Sequence, residues 1–150
     1  MRTRGLFRWS ILLALTLAIV LNITPAAAQP KSLYERLGRY DGIAAAVDDF
    51  LARALADPKI ARFFAGHSAD SKGRFRQQVV EQLCMLAGGP CVYTGRSMKT
   101  SHAGLGITEE EWQLTVKYLV AALDKFQVPQ REKDDLLAAL TKVKPDIVEK

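Results

Sequence analysis

The segment Gly88–Ile107, GGPCVYTGRSMKTSHAGLGI, decides how the rest of the chain is read. It opens on paired glycines and a proline, which no helix continues through, and it lies between two long amphipathic helical patterns. It closes on a short helical stretch, Met98 to Ala103, carrying His102, one of two histidines in the chain. Gly104 and Gly106 end that stretch. A long irregular connection costs conformational entropy, so the centre of the fold has to supply something that offsets it.

Toward the N-terminus, the pattern ending near Leu86 shows Phe75, Val79, Leu83 and Leu86 on its inward side, with Val80 beside them. His67 to Lys72 is polar and reads as a loop, in which Asp70 or Ser71 would cap the helix. Before it, Asp57-Pro58 supplies a cap and a first helical position for a turn that ends in Phe63-Phe64. Asp41 is the expected N-cap of a longer helix with Ile43, Val47, Phe50, Leu51 and Ala54 as its inward stripe. Lys31 to Leu37 forms a short helix closed by Gly38. Toward the C-terminus, Thr108-Glu109-Glu110-Glu111 is a capping box. The helix it starts places Trp112, Val116, Leu119, Val120, Leu123 and Phe126 on one side, and Pro129 opens a last helix lined by Leu136, Leu137, Leu140 and Val143. Strand alternation and internal repeats are absent. The class is all-α, and the long connection does not suit an up-and-down bundle with short, similar loops.

Residues 1–28 read as a cleaved signal peptide. Arg2, Arg4 and Arg8 form a basic start, Ile11 to Leu21 an apolar run, and Ala26-Ala27-Ala28 a cleavage site with Gln29 as the new N-terminus. The run is short for a bilayer crossing of ~20 residues, so no stable membrane insertion is expected after cleavage. One domain, 29–150, remains. Of 21 basic residues three leave with the signal, which puts 18 against 16 acidic ones. That near balance, with no basic stripe interleaved with aromatics, gives no nucleic-acid surface. Export to a periplasmic or secreted location permits a disulfide between Cys84 and Cys91, and free buried thiols fit the spacing equally well. Metal-type Cys/His spacing is missing, which argues against structural zinc.

The inward faces read first as an ordinary core, with a flat macrocycle seated among them as the second reading. A resemblance reverses that order. LYERLG, then DDFLARALADPKIARFF, then GGPCVYTGRSMKTSHAGLGIT, together spanning most of Ser32 to Val148, resemble the group I truncated haemoglobins, short globins folded as a two-on-two helical sandwich around haem. The resemblance implies haem b as cofactor and His102, in MKTSH, as the proximal ligand and sole protein ligand of the metal. It further implies that Phe50, Phe64, Phe75, Val79, Tyr93, Met98 and Val116 contact the cofactor, with Gly88-Gly89 freeing the segment that wraps it. One neutral imidazole on haem iron suits diatomic ligand binding.

The distal side departs from the family pattern. Where many members carry DFY, with a tyrosine that donates to bound oxygen, this chain has Asp49-Phe50-Leu51. Phe75 and Val79 stand where polar residues are common, leaving Gln78 and Gln82 as the nearby amides. The first glycine motif is incomplete, since Gly38 is followed by Arg39. His67 reads as a solvated loop residue, with a propionate contact or a second axial position as alternatives. The expected function is reversible binding of oxygen, carbon monoxide or nitric oxide by a monomer with an apolar distal pocket. An enzymatic role, as a nitric oxide dioxygenase or in peroxidase-like chemistry, is the alternative, and outside the cytoplasm it would need a periplasmic electron donor. A haem-free helical interaction module is the third reading, set aside by the match around His102.

Overall fold

The computed structural model describes residues 30–150, and the expected signal peptide lies outside the described residues. Seven α-helices make up the described chain: α1 (Leu33–Arg36), α2 (Arg39–Ala56), α3 (Pro58–Ala61), α4 (Ala69–Leu86), α5 (Met98–His102), α6 (Glu109–Lys125) and α7 (Gln130–Thr141). Short 3-10 turns follow at Arg62–Phe64 and Lys144–Asp146, and no strand occurs among the described residues. The all-α class expected from the sequence is what forms.

Helix α2 is the central element, packed most extensively against α6 and α4. Its whole expected stripe is buried: Ile43, Val47, Phe50, Leu51 and Ala54 are all at or below 9% exposure. Val80, Cys84 and Leu136 join Val47 as the most deeply buried large side chains, and with Leu119, Ala122 and Leu123 they place the core between α2, α4, α6 and α7. Arg36 bridges Glu132 at 2.7 Å and Asp135 at 2.6 Å, fastening α1 to α7.

Two caps differ from expectation. Asp41 does not cap α2: the helix starts earlier, at Arg39, with Gly38 as N-cap at φ +82°. Arg39 itself has φ +59°, so a bulky residue takes a left-handed conformation where a second glycine would sit without strain. Helix α4 likewise begins at Ala69, inside the stretch expected to be loop, because Ser68 rather than Asp70 or Ser71 accepts the Ser71 amide. The Asp57-Pro58 start and the Thr108–Glu111 capping box form as expected.

The stripes on α4 and α6 each divide. On α4 the buried set is Val80, Leu83 and Cys84, whereas Phe75, Val79 and Leu86 are only half-buried. On α6, Leu119, Ala122 and Leu123 are buried, Trp112 and Val116 are half-buried, and Phe126 at the helix end is 45% exposed, outside the inward face it was assigned to. A helix packed on α2 along one face keeps a second apolar face, and that leftover face marks the site.

Candidate functional site

The irregular segment after α4 is fixed at its start by a covalent bond. Cys84 and Cys91 form a disulfide, with Cα atoms 5.8 Å apart, which settles the alternative the spacing left open. Inside the closed loop, a Cβ on Gly89 would lie 2.5 Å from the Tyr34 ring, 2.6 Å from the Cys84 sulfur and 2.9 Å from the Cys84 carbonyl oxygen. Only glycine lets these three approach. The Tyr34 amide also donates to Ala87 O at 2.9 Å, so α1 is seated on the end of α4. Further along, Tyr93 is half-buried and its hydroxyl donates to Arg96 O at 2.9 Å.

Helix α5 then delivers His102. Ser97 caps it by accepting the Thr100 amide at 3.1 Å. His102 is its last residue and is half-buried. Its Nδ1 lies 2.7 Å from Met98 O, one turn back. A carbonyl can only accept, so Nδ1 carries a proton and donates, and Nε2 is the ring nitrogen left without a partner inside the helix.

Across the molecule, Phe64 and Phe75 pack with ring centroids 4.7 Å apart, tilted by 56°. His67 is exposed and lies edgewise on Phe64 at 5.8 Å, the solvated placement expected from its loop. Phe64, Phe75 and Val79 are partly buried against the core, whereas Phe50 and Leu51 lie within it. Gln78 is half-buried. Gln82, also half-buried, has its Oε1 sealed from solvent without a hydrogen-bond partner, an arrangement that costs free energy unless a ligand or water meets it. Val116 lines a cavity of about 220 Å³ between α6 and α7, together with Trp112, Leu137, Leu140 and Lys144.

Glu111 connects the two sides of the site. One carboxylate oxygen accepts Nε and Nη2 of Arg62, at 3.0 and 2.7 Å, and the other accepts the Thr108 amide at 3.0 Å. The Thr108 amide, then Arg62, hold its carboxyl below the usual range despite burial. The turn before Phe63-Phe64 is thereby joined to the start of α6. Nothing in the local pattern announces the Arg62 contact, since the two residues are 49 positions apart.

A sequence-family model described as bacterial-like globin matches residues 32–149. The chain belongs to this globin family. The globin is 34% identical over 120 residues to a group 1 truncated hemoglobin of Mycolicibacterium paratuberculosis, an overlap of 80% of this chain and 86% of that one. Its fold is similar to the crystal structure of truncated hemoglobin from Tetrahymena pyriformis in the Fe(III) form, with a TM-score of 0.73, 27% identity, and 80% and 100% of the two chains covered. The 2/2 hemoglobin of a Synechococcus species, solved in the cyanomet state with covalently attached heme, gives a TM-score of 0.71 at 26% identity, covering 80% of this chain and 100% of that one. The globin is therefore a group I truncated globin with haem as its cofactor, and haem-based gas binding is its general activity.

Proposed function

We propose that this globin binds a diatomic gas reversibly at a haem iron held by Nε2 of His102, with an apolar distal side formed by Leu51, Phe75 and Val79. The observation that carries the reading is the 2.7 Å contact of His102 Nδ1 with Met98 O. It fixes the tautomer and the ring orientation, and a hydrogen bond on the far nitrogen makes an imidazole a stronger ligand. The residues fit the cofactor: a half-exposed apolar face on α4 and α6, the tilted Phe64–Phe75 pair, and an unpartnered amide oxygen at Gln82. Haem supplies an iron that coordinates oxygen, carbon monoxide or nitric oxide. The chain's own part is to hold that iron through one imidazole, to cover the ring with Phe64, Phe75, Val79, Tyr93, Met98 and Val116, and to keep water away.

Without a tyrosine at position 51, the distal side offers a gas ligand no hydroxyl. A good hydrogen bond to the partly negative ligand contributes about 1.4 kcal/mol, so its loss speeds oxygen release roughly tenfold. Carbon monoxide depends less on such a donor, and the proposed protein favours it relative to oxygen. Export completes the proposal. The Ala26-Ala27-Ala28 site and the Cys84–Cys91 bond are both suited to an oxidising compartment. There, redox turnover of the iron would call on a periplasmic electron donor.

Visible spectra of the ferric, ferrous and carbon monoxide-bound protein, wild type beside His102→Ala, test the central assignment. The variant should lose the five-coordinate ferrous spectrum, and an unchanged spectrum and haem retention would refute it. N-terminal sequencing of the periplasmic fraction should start at Gln29; a chain starting at Met1 there would refute cleavage, and a chain confined to the cytoplasm would refute export.

A further inference from the structure

The turn that leaves His102 is held by a segment far away in sequence. Gly104 and Gly106 both adopt left-handed backbone, at φ +81° and +64°, with Leu105 between them donating its amide to His102 O at 3.1 Å. The two glycine amides point into one concavity, and the Glu149 carboxylate fills it. One oxygen accepts Gly104 N–H at 2.7 Å and the other accepts Gly106 N–H at 2.5 Å. Backbone bonds flank the clamp: Glu149 N and Lys150 N donate to Ile107 O at 2.8 and 3.3 Å, and Glu109 N donates to Lys150 O at 2.9 Å. The two glycine amides, first Gly104 and then Gly106, hold the Glu149 carboxyl below its usual range, so it is ionised and a strong acceptor near neutral pH.

We propose that Glu149 is a positioning residue for His102, setting where the imidazole sits and hence how strongly it binds and pulls on iron. The inference rests on His102 being the iron ligand. Helix α5 has five residues, too few to hold its own geometry in water. Its position is therefore dictated by what holds it, namely its two ends and the Lys144–Asp146 turn it lies against. At the entry Ser97 supplies a local cap, which moves with the helix and anchors it to nothing else. At the exit only Ala103 separates His102 from the clamped Gly104, so a displacement of the turn passes directly to the imidazole. The carboxylate geometry matters beyond charge, because both oxygens are used. Glutamine offers one acceptor and turns an N–H donor toward the second glycine amide, whereas alanine removes both contacts.

The test uses Glu149→Gln and Glu149→Ala, with Lys142→Ala, an exposed change nearby, as control. In the apoprotein, amide NMR should show Gly104 and Gly106 moving upfield in the alanine variant as their charged acceptor is lost, and less far in the glutamine variant. In the ferrous haem protein, the iron–histidine stretching band should shift, and haem transfer to an acceptor globin should accelerate about five- to tenfold in the alanine variant, part of the loss of the two bonds reaching the imidazole. The glutamine variant should fall between, and the control should match wild type. Glycine amides that do not move, or an iron–histidine band and transfer rate that stay at wild-type values, would overturn the proposal. Should the alanine variant not fold, the glutamine variant carries the same readings. A band that survives in His102→Ala would instead sink the underlying ligand assignment.

Discussion

Replacing Cys91 by serine opens the disulfide with little other disturbance, because Cys91 is half-buried while Cys84, which stays, keeps its fully buried place against the core. The bond closes a loop of roughly eight residues, for which the loss of unfolded-state freedom corresponds to about 2.5 kcal/mol in the chain-entropy account. Part of the loop is stiff without the bond: Pro90 limits the unfolded chain, and Gly89 N donates to Cys84 O at 2.8 Å. The expected cost is therefore about 2 kcal/mol. For a domain of this size each kcal/mol moves the melting temperature by about 4 °C, so Cys91→Ser should melt about 8 °C lower. Circular dichroism at 222 nm on the apoprotein reads this directly, comparing oxidised wild type, wild type in reductant, and the variant with and without reductant. Reductant should bring wild type down to the variant and leave the variant unmoved. Equal melting of the variant and oxidised wild type would refute the reasoning, as would a reductant effect of the same size on both.

Three further outcomes are expected. Leu51→Tyr should slow oxygen release in stopped flow by about tenfold through a new donor, and should lower stability by about 1–3 kcal/mol because position 51 lies in a closed core. Glu111→Gln should flatten the acid limb of a urea-stability profile: the native carboxyl is held below its ordinary 4.5 by the Thr108 amide and Arg62, so its contribution is complete above that value and disappears as pH falls through the depressed one. A variant profile parallel to wild type through the acid range would count against this. Arg39→Gly should raise stability by about 1 kcal/mol in chemical denaturation by relieving the left-handed strain, since the lost 3.5 Å pair with Glu35 is surface-exposed.

What the sequence made legible was set by local rules. The capping box at Thr108, the Asp57-Pro58 start, the α2 stripe and the short helix bearing His102 all depend on residues a few positions apart, and all formed as read. Periodicity could not divide the α4 stripe, because two adjacent faces of one helix share the same period. Only packing against α2 separates buried Val80, Leu83 and Cys84 from half-buried Phe75, Val79 and Leu86. Ser68 displaced Asp70 and Ser71 as cap because any short polar side chain in that run can take the role. The Arg62–Glu111 link and the Glu149 clamp depend on where distant segments meet, and residue types at those positions carry no local signature; the cysteine spacing was local but fitted bridged and free thiols alike. On the site itself, the stretch bearing His102 is read as proximal through its resemblance to a family. The distal side was legible mainly as a departure from that family.

The crowding at Gly89 reaches beyond this one molecule. Tyr34, Cys84 and Gly89 share a single small volume, with the ring, the sulfur and the backbone each pressed on the same point. A lineage could not enlarge position 89 while keeping both neighbours, nor move the aromatic ring without opening a hole beside the sulfur. These positions, spread over fifty-odd residues of chain, should therefore be inherited as a unit, and chains that lack the cysteine pair should be the ones free to vary at the other two.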